Sequence, residues 1–142
     1  MDTTVLTEKL ESLRRCVQRI EEKQPRHIDE LKQSIDLQDI LVLNLTRAIQ
    51  LCVDIGSHLL SQTNCPAPRT MGSVFTLLQE ANIISPTTSQ QLKKAIGFRN
   101  IAVHQYEAIN WEIVYAISQR ALRIFANSHG KSATMPSCNS LT

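Results

Sequence analysis

The stretch "LQDILVLNLTRAIQLCVDIGSHLLSQ", residues 37–62, is predicted to form the most buried helix of the protein. Its apolar residues recur at spacings of three and four, which places them on one face of a helix. The stripe consists of Leu41, Leu45, Ala48, Cys52, Ile55 and Leu59, and it is widened by Ile40, Leu43, Ile49 and Leu51. An apolar face this wide indicates a helix that is surrounded by other helices.

The same helix carries polar side chains among its apolar neighbours. Burying a polar group without a partner costs several kcal/mol, as an order of magnitude. Some of these side chains are therefore expected to meet partners across an interface or in a functional site. They are Asp39, Asn44, Arg47, Gln50 and Asp54.

Proline and capping residues divide the rest of the chain into further helices. Residues 3–24 carry leucine, valine and isoleucine at spacings of three and four, and Pro25 ends this helix. The connector over residues 26–36 is expected to hold one short turn of helix. The remaining predictions are a short helix over 73–81, a helix begun by Ser85 and Pro86, and a last helix over 111–126 capped by Asn110.

These segments predict an all-α fold, an antiparallel up-down four-helix bundle with an additional short helix. A length of 142 residues suits one domain, and the low aromatic content of 4% and the four glycines favour helices over sheets. The bundle is expected over residues 1–127. The small, polar residues of 128–142 are predicted to form a disordered tail.

Composition argues against several classes of protein. The N-terminus lacks the apolar core of a signal peptide, and no uninterrupted apolar run approaches the ~20 residues that span a membrane, so a cytoplasmic protein without a membrane partner is expected. A net charge of +2 does not by itself indicate nucleic-acid binding. The four cysteines form no CxxC pair and no zinc-ligand spacing, so no metal is expected, and Cys16 and Cys52 are interpreted as core residues.

The segment "RNIAVHQY", residues 99–106, brings a cation, an amide, an imidazole and a phenol close together. On an α-helix, the five residues from Arg99 to His104 correspond to about 140° of rotation and about 7.5 Å of rise. The two side chains diverge unless the helix ends or bends between them. The helix is therefore expected to end at Ala102-Val103, with His104 turning back toward Arg99. Polar residues scattered at a helix end are the plain alternative.

This set of residues fits the metal-independent cleavage of RNA. It contains no carboxylate cluster or second histidine for a metal, and the chain has no glycine-rich phosphate loop and no serine or cysteine nucleophile with a recognisable base. An imidazole with a pKa near neutrality can take a proton from the ribose 2′-hydroxyl or give one to the leaving oxygen. A guanidinium can bind the phosphate and stabilise the charge of the transition state. DNA lacks the 2′-hydroxyl and is not an expected substrate.

One histidine cannot easily act as base and acid in the same reaction. A symmetric homodimer would bring a second Arg99 and His104 into the same cleft and would supply two of each. The polar residues of the helix over 37–62 could line that interface.

The segment "RNIAVHQY" resembles the R-x4-H-x-Y signature of the HepT toxins, a branch of the HEPN superfamily. Residues 37–59 also resemble the second helix of that family. Residues 73–84, "SVFTLLQEANII", resemble a later segment of the family, which precedes a helix begun by proline. The resemblance covers about residues 6–125.

The resemblance implies an all-α bundle that dimerises, with the signatures of both protomers at a shared cleft. It implies a metal-independent endoribonuclease without a cofactor, the toxin of a type VII toxin–antitoxin pair in bacteria or archaea. The family's antitoxin is MntA, a minimal nucleotidyltransferase that transfers AMP from ATP to the signature tyrosine. Arg99 and His104 then become catalytic, Asn100 a supporting residue and Tyr106 the AMP acceptor.

Two other functions are compatible with the same residues. A non-catalytic HEPN module would use Arg99, His104 and Tyr106 to contact a nucleotide or a nucleotidyltransferase partner. A helical adaptor would use the polar cluster only to order a dimer interface, with Arg99 and His104 buried away from any cleft. Messenger, transfer and ribosomal RNA all carry the 2′-hydroxyl, so the motif selects RNA only as a class.

Overall fold

The computed structural model describes the backbone of residues 3–129 and the side chains of residues 3–121, and all regular elements in that part are helical. This confirms the predicted all-α fold. Four long helices, α1, α3, α5 and α6, form the bundle, and the shorter α2 and α4 connect them. The elements are α1 (Thr3–Lys23), α2 (Ile28–Gln33), α3 (Ile35–Leu60), α4 (Met71–Glu80), α5 (Pro86–His104), a 3-10 turn (Tyr106–Ala108) and α6 (Trp111–His129).

Helix α1 packs antiparallel to α3. The ammonium group of Lys9, near the start of α1, lies 3.4 Å from the carboxylate of Asp54, near the end of α3. Along the two helices, apolar side chains from both form one buried cluster, because the stripe predicted for α1 faces the wide apolar surface of α3. The buried members are Leu13, Cys16, Val17, Ala48 and Ile55.

The cysteines of these helices belong to the core, as their spacing predicted. Cys16 is buried, and Cys52 packs against both hydrophobic clusters. Burial raises the pKa of the Cys52 thiol to about 12, with a smaller effect from Cys16. The thiolate is the reactive form of cysteine, so this side chain contributes packing rather than chemistry.

Side-chain caps set the starts of the helices. Ser85 accepts a hydrogen bond from the backbone N–H of Thr88 at 3.1 Å, and Pro86 follows at the first helical position, as predicted. Asn110 accepts from the N–H of Glu112 at 2.9 Å at the start of α6, also as predicted.

Two predicted starts are displaced by capping interactions. The connector contains a complete helix, α2, and α3 begins at Ile35 because Ser34 caps it through the N–H of Leu37 at 3.1 Å. Helix α4 begins at Met71 rather than at residue 73. Ser73 is the third residue of that helix and forms a reciprocal capping box with Thr70.

Helix α6 extends beyond its predicted end and continues through His129. The boundary expected between residues 127 and 128 therefore falls inside a helix. Of the predicted tail, residues 130–142 lie outside the described part of the chain.

Helix α3 is long and apolar enough to cross a membrane by length and composition, although the sequence has no uninterrupted apolar run of that size. The mean hydropathy of its most apolar 18-residue window is 1.4, and half of that window is buried within the protein. The central helix of a bundle has the same composition, because it buries apolar side chains on several sides.

Gly56 marks a close approach between α3 and α4. A Cβ atom built at this position would lie 2.8 Å from Cγ1 of Val74 and 2.9 Å from Cδ1 of Leu78. Both neighbours are buried, so at least one of these side chains must shift to make room for a methyl group. The absence of a side chain at Gly56 therefore allows α4 to pack directly on α3.

We predict that Gly56→Ala lowers the free energy of unfolding by about 1–3 kcal/mol, because the added methyl group overpacks the contact with Val74 and Leu78. Urea denaturation followed by circular dichroism measures the change. Gly97→Ala is the matched control: a Cβ at Gly97 meets nothing within 4 Å. Replacing this helical glycine should raise stability by about 0.5–1 kcal/mol. Equal effects of the two substitutions would contradict the close packing at Gly56.

Candidate functional site

The helix that carries the motif does not end between Arg99 and His104. Helix α5 continues through His104, and the N–H of Gln105 still donates to the carbonyl oxygen of Ile101 at 2.8 Å. The predicted end at Ala102-Val103 is wrong, because neither residue interrupts the backbone hydrogen bonds. The chain leaves the helix only at Gln105, where φ is −142° and ψ is 62°.

Asn100 links the guanidinium of Arg99 to the face of α5 that carries His104. Nη1 of Arg99 donates to Oδ1 of Asn100 at 3.3 Å. Asn100 lies four residues before His104, so both side chains project from the same face of the helix. The guanidinium of Arg99 therefore contacts a side chain on the face of α5 that carries His104.

The motif lies at the protein surface. His104 and Asn100 are exposed and Arg99 is partly buried. No hydrogen bond within the described side chains orients the imidazole of His104. This ring is free to contact a ligand, a substrate or a second copy of the chain. The helical-adaptor alternative required Arg99 and His104 to be buried away from the surface, and within a single chain they are not.

Tyr106 begins the 3-10 turn that follows α5. The turn is closed by hydrogen bonds from the N–H of Ala108 to the carbonyl of Gln105 at 2.8 Å and from the N–H of Ile109 to the carbonyl of Tyr106 at 3.1 Å. Ile109 is buried in the main core and anchors the turn. The ring of Tyr106 packs edge-on against Trp111, with centroids 6.2 Å apart.

The hydroxyl of Tyr106 is bound by a residue that is distant in sequence. The phenolic hydroxyl donates a hydrogen bond to Oδ1 of Asp39, on α3, at 2.7 Å. Partial burial raises the pKa of Tyr106 to about 12, and the hydrogen bond to Asp39 and the negative charge of that carboxylate add to the shift. The phenol is therefore neutral at physiological pH, with Asp39 as its hydrogen-bond acceptor.

Asp39 fulfils in part the expectation that polar residues of α3 meet partners in a site. Asn44 and Gln50 instead bond within the helix, to the carbonyl of Ile40 at 2.8 Å and to Asp54 at 3.0 Å. Asp39 was not predicted as a site residue. The signal available in the sequence was a carboxylate among apolar residues, and it did not indicate Tyr106 as the partner.

Exposed apolar side chains lie on α3 and on the last turn of α5, near in sequence to the two partners of the Asp39–Tyr106 bond, and we call them the α3/α5 face. On α3, Ile35 and Leu43 lie one turn on either side of Asp39 and are 72% and 54% exposed. On the last turn of α5, Ile101 and Val103 are 40% and 54% exposed. Exposed apolar side chains near a candidate site are typical of a surface that binds a partner.

The described residues contain no group of three or more histidine, cysteine, aspartate or glutamate side chains arranged to hold a metal ion. The polar groups of this region are a guanidinium, an amide, an imidazole, a phenol and a carboxylate. Together they can bind an anion and transfer protons.

Comparison with known proteins places the chain in a family. A family model described as ribonuclease HepT-like matches residues 10–128. The mRNA nuclease HepT of Shewanella oneidensis is 36% identical over 121 residues, which cover 85% of this chain and 90% of the relative. The tRNA nuclease HepT of Aphanizomenon flos-aquae is 24% identical over 123 residues, which cover 87% of this chain and 84% of the relative.

Solved structures with the same fold contain toxins of this type. A toxin–antitoxin structure with AMP-PNP superimposes with a TM-score of 0.78 at 35% identity, covering 84% of this chain and 90% of the other. A tri-AMPylated HEPN toxin of Shewanella oneidensis in complex with an MNT antitoxin also gives a TM-score of 0.78, at 32% identity, covering 93% of this chain and all of the other. The family model, the sequence identity and the fold agree, and the chain belongs to the HepT-like ribonuclease family.

Proposed function

We propose that the protein is the toxin of a type VII toxin–antitoxin pair, a metal-independent endoribonuclease that an MntA-type nucleotidyltransferase neutralises by attaching AMP to Tyr106. The observation that carries this proposal is the exposed end of α5. There the Arg99–Asn100 pair lies one helical turn before His104, and Tyr106 follows on the adjoining turn. Relatives named as nucleases and complexes of a toxin with its antitoxin support the same function.

His104, Arg99 and Asn100 have distinct parts in the proposed cleavage. The imidazole of His104 moves the proton of the ribose 2′-hydroxyl or of the leaving oxygen. The guanidinium of Arg99 binds the scissile phosphate and stabilises its transition-state charge. Asn100 is a positioning residue, since its Oδ1 holds the guanidinium at 3.3 Å.

A second copy of the chain completes the site. The unbroken helix makes Arg99 and His104 diverge within one chain, and one imidazole cannot readily serve as both acid and base. The α3/α5 face carries the exposed apolar surface that a dimer would bury beside the motif. A two-fold axis at this face would bring both copies of the motif together.

Modification of Tyr106 would block this cleft. AMP attached to the hydroxyl adds a bulky nucleotide and a negatively charged phosphate two residues from His104. That charge lies where the phosphates of RNA would bind, so it repels the substrate. The solved structure of a tri-AMPylated HEPN toxin supports AMP attachment as the modification.

The non-catalytic module is the second candidate. It is favoured by the absence, within the described side chains, of a hydrogen bond that orients His104. In that function the motif binds a nucleotide or the nucleotidyltransferase and cleaves nothing. Nucleotide binding by the purified protein, without RNA cleavage and without toxicity on expression, would identify it.

We predict that His104→Ala and Arg99→Ala each reduce RNA cleavage in the presence of a metal chelator by about 100-fold or more, since each removes a group that acts in the transition state. A fluorescent RNA substrate measures the rate. His27→Ala and Arg19→Ala are matched controls, because both residues are exposed and lie outside the motif, His27 immediately before α2 and Arg19 on α1. Cleavage that persists in both motif variants would reject the ribonuclease mechanism.

We predict that Leu43→Asp and Val103→Asp raise the dissociation constant of the homodimer by about tenfold or more, because each would place a charge in the apolar contact that the proposed dimer buries. Analytical ultracentrifugation measures the constant, and RNA cleavage should fall in parallel. Val5→Asp is the control, since Val5 is an exposed apolar residue of α1, 39% accessible. A strictly monomeric wild-type protein that cleaves RNA would contradict the shared cleft.

A further inference from the structure

The hydrogen bond between Tyr106 and Asp39 has no part in the proposed RNA cleavage. Asp39 is exposed, and the hydroxyl of Tyr106 is the one hydrogen-bond or ion-pair partner that its carboxylate has among the described side chains. No cation of that part of the chain neutralises it within 4.0 Å. A free carboxylate beside a surface that binds RNA phosphates weakens RNA binding through charge repulsion. The position of Asp39 therefore indicates a role other than RNA binding.

The proposed transfer of AMP to Tyr106 poses a chemical problem. A phenol is a weak nucleophile while it holds its proton, and the pKa of Tyr106 is raised to about 12 by burial and by Asp39. At neutral pH almost none of the side chain is ionised. The proton must therefore leave during the reaction, and a nearby base must accept it.

We infer that Asp39 is the general base that accepts the proton of Tyr106 when AMP is transferred to this hydroxyl. The inference rests on the proposed function and identifies a catalytic residue that the toxin itself supplies for its own modification. Oδ1 of Asp39 lies 2.7 Å from the phenolic oxygen, within the distance required for direct proton transfer.

The reaction balances with ATP as the donor held by the nucleotidyltransferase. The oxygen of Tyr106 attacks the α-phosphorus and forms the new O–P bond. The bond from that phosphorus to the bridging oxygen of the pyrophosphate breaks, and its electron pair leaves with the pyrophosphate. The phenolic proton passes to Oδ1 of Asp39 and is later released to water.

The fold holds the two groups together in the single chain. Asp39 projects from α3, whose other side is buried in the core, so its backbone has little freedom. Tyr106 is held by the 3-10 turn, by buried Ile109 and by the ring of Trp111. The acceptor and its base are therefore in place before the antitoxin binds.

Asp39→Asn separates proton acceptance from positioning. An asparagine has nearly the same shape, and its Oδ1 can still accept the hydrogen bond of the phenol. It cannot accept a proton as a base. A role in positioning alone would therefore survive this substitution, and a role as a base would not.

The experiment measures the rate at which an MntA-type nucleotidyltransferase transfers AMP from ATP to the full-length protein, followed by intact mass. We expect Asp39→Asn to slow the first transfer by about 10²–10⁴-fold. The residual rate should rise about tenfold per pH unit between about pH 7 and 9, as the small ionised fraction of the phenol increases. The wild-type protein should show a weaker dependence on pH over this range.

Two further variants show whether a slow reaction of Asp39→Asn results from loss of the base or from a damaged fold. Asp36→Asn removes the same charge from the first turn of α3, at an exposed residue with no hydrogen bond to Tyr106, and should react at the wild-type rate. Asp39→Glu restores a carboxylate and should recover part of the rate lost in Asp39→Asn. Circular dichroism spectra and thermal unfolding compare the fold of all variants.

The outcomes separate this inference from the proposed function. If Asp39→Asn reacts at the wild-type rate, or reacts slowly with the pH dependence of the wild type, Asp39 is not the base. If Tyr106→Phe accepts AMP as the wild-type protein does, the proposed acceptor is wrong and the inference fails with it. Loss of the modification in Tyr106→Phe together with a slow, pH-dependent reaction of Asp39→Asn would establish both.

Discussion

The burial of α3 is the constraint on which the other helices depend. Its apolar surface is too wide for one neighbour to cover, so α1 packs along one side while α4, α5 and α6 contact the others. Leu41 and Leu45 are almost completely buried in this packing. Gly56 brings α4 close to the helix axis of α3. Removing this much apolar surface from water is the dominant favourable term in the stability of such a domain.

The same packing positions the polar groups of the candidate site. Asp39 lies on the exposed side of α3, while the opposite side of that helix is fixed in the core. Tyr106 is fixed through its turn, which Ile109 anchors in the same core. A hydrogen bond between residues 67 positions apart is thus maintained by apolar contacts beneath it. Rigid elements of this kind hold reactive groups more accurately than loops do.

Under the proposed function, the residues that cleave RNA and the residue that accepts AMP lie next to each other at the end of α5. The cleavage residues Arg99 and His104 lie on the helix, and the acceptor Tyr106 lies on the turn that follows. A phosphate attached to the turn changes the charge and the space next to the cleavage residues. This proximity explains how modification of one side chain can control the reaction of others without a change of fold.

The sequence by itself determined the helical fold and the starts of α1, α5 and α6, because these depend on local signals. Ser85 and Asn110 cap their helices as predicted, and the period of the apolar residues identified the central helix. The family was also recognisable from the sequence, and the family model agrees with that resemblance over residues 10–128. The end of α5 was not predictable in this way, since nothing after Ala102 marks a stop before Gln105.

Only the tertiary structure decided which groups meet. Local spacing cannot reveal that the carboxylate of Asp39 binds Tyr106, because that contact depends on how α3 and the turn after α5 pack across the core. Nor can it reveal that the Asn100 amide holds Arg99, since the choice among rotamers is made by the surroundings. The sequence thus supplied the chemical groups of this protein, and the packing of its helices fixed their partners.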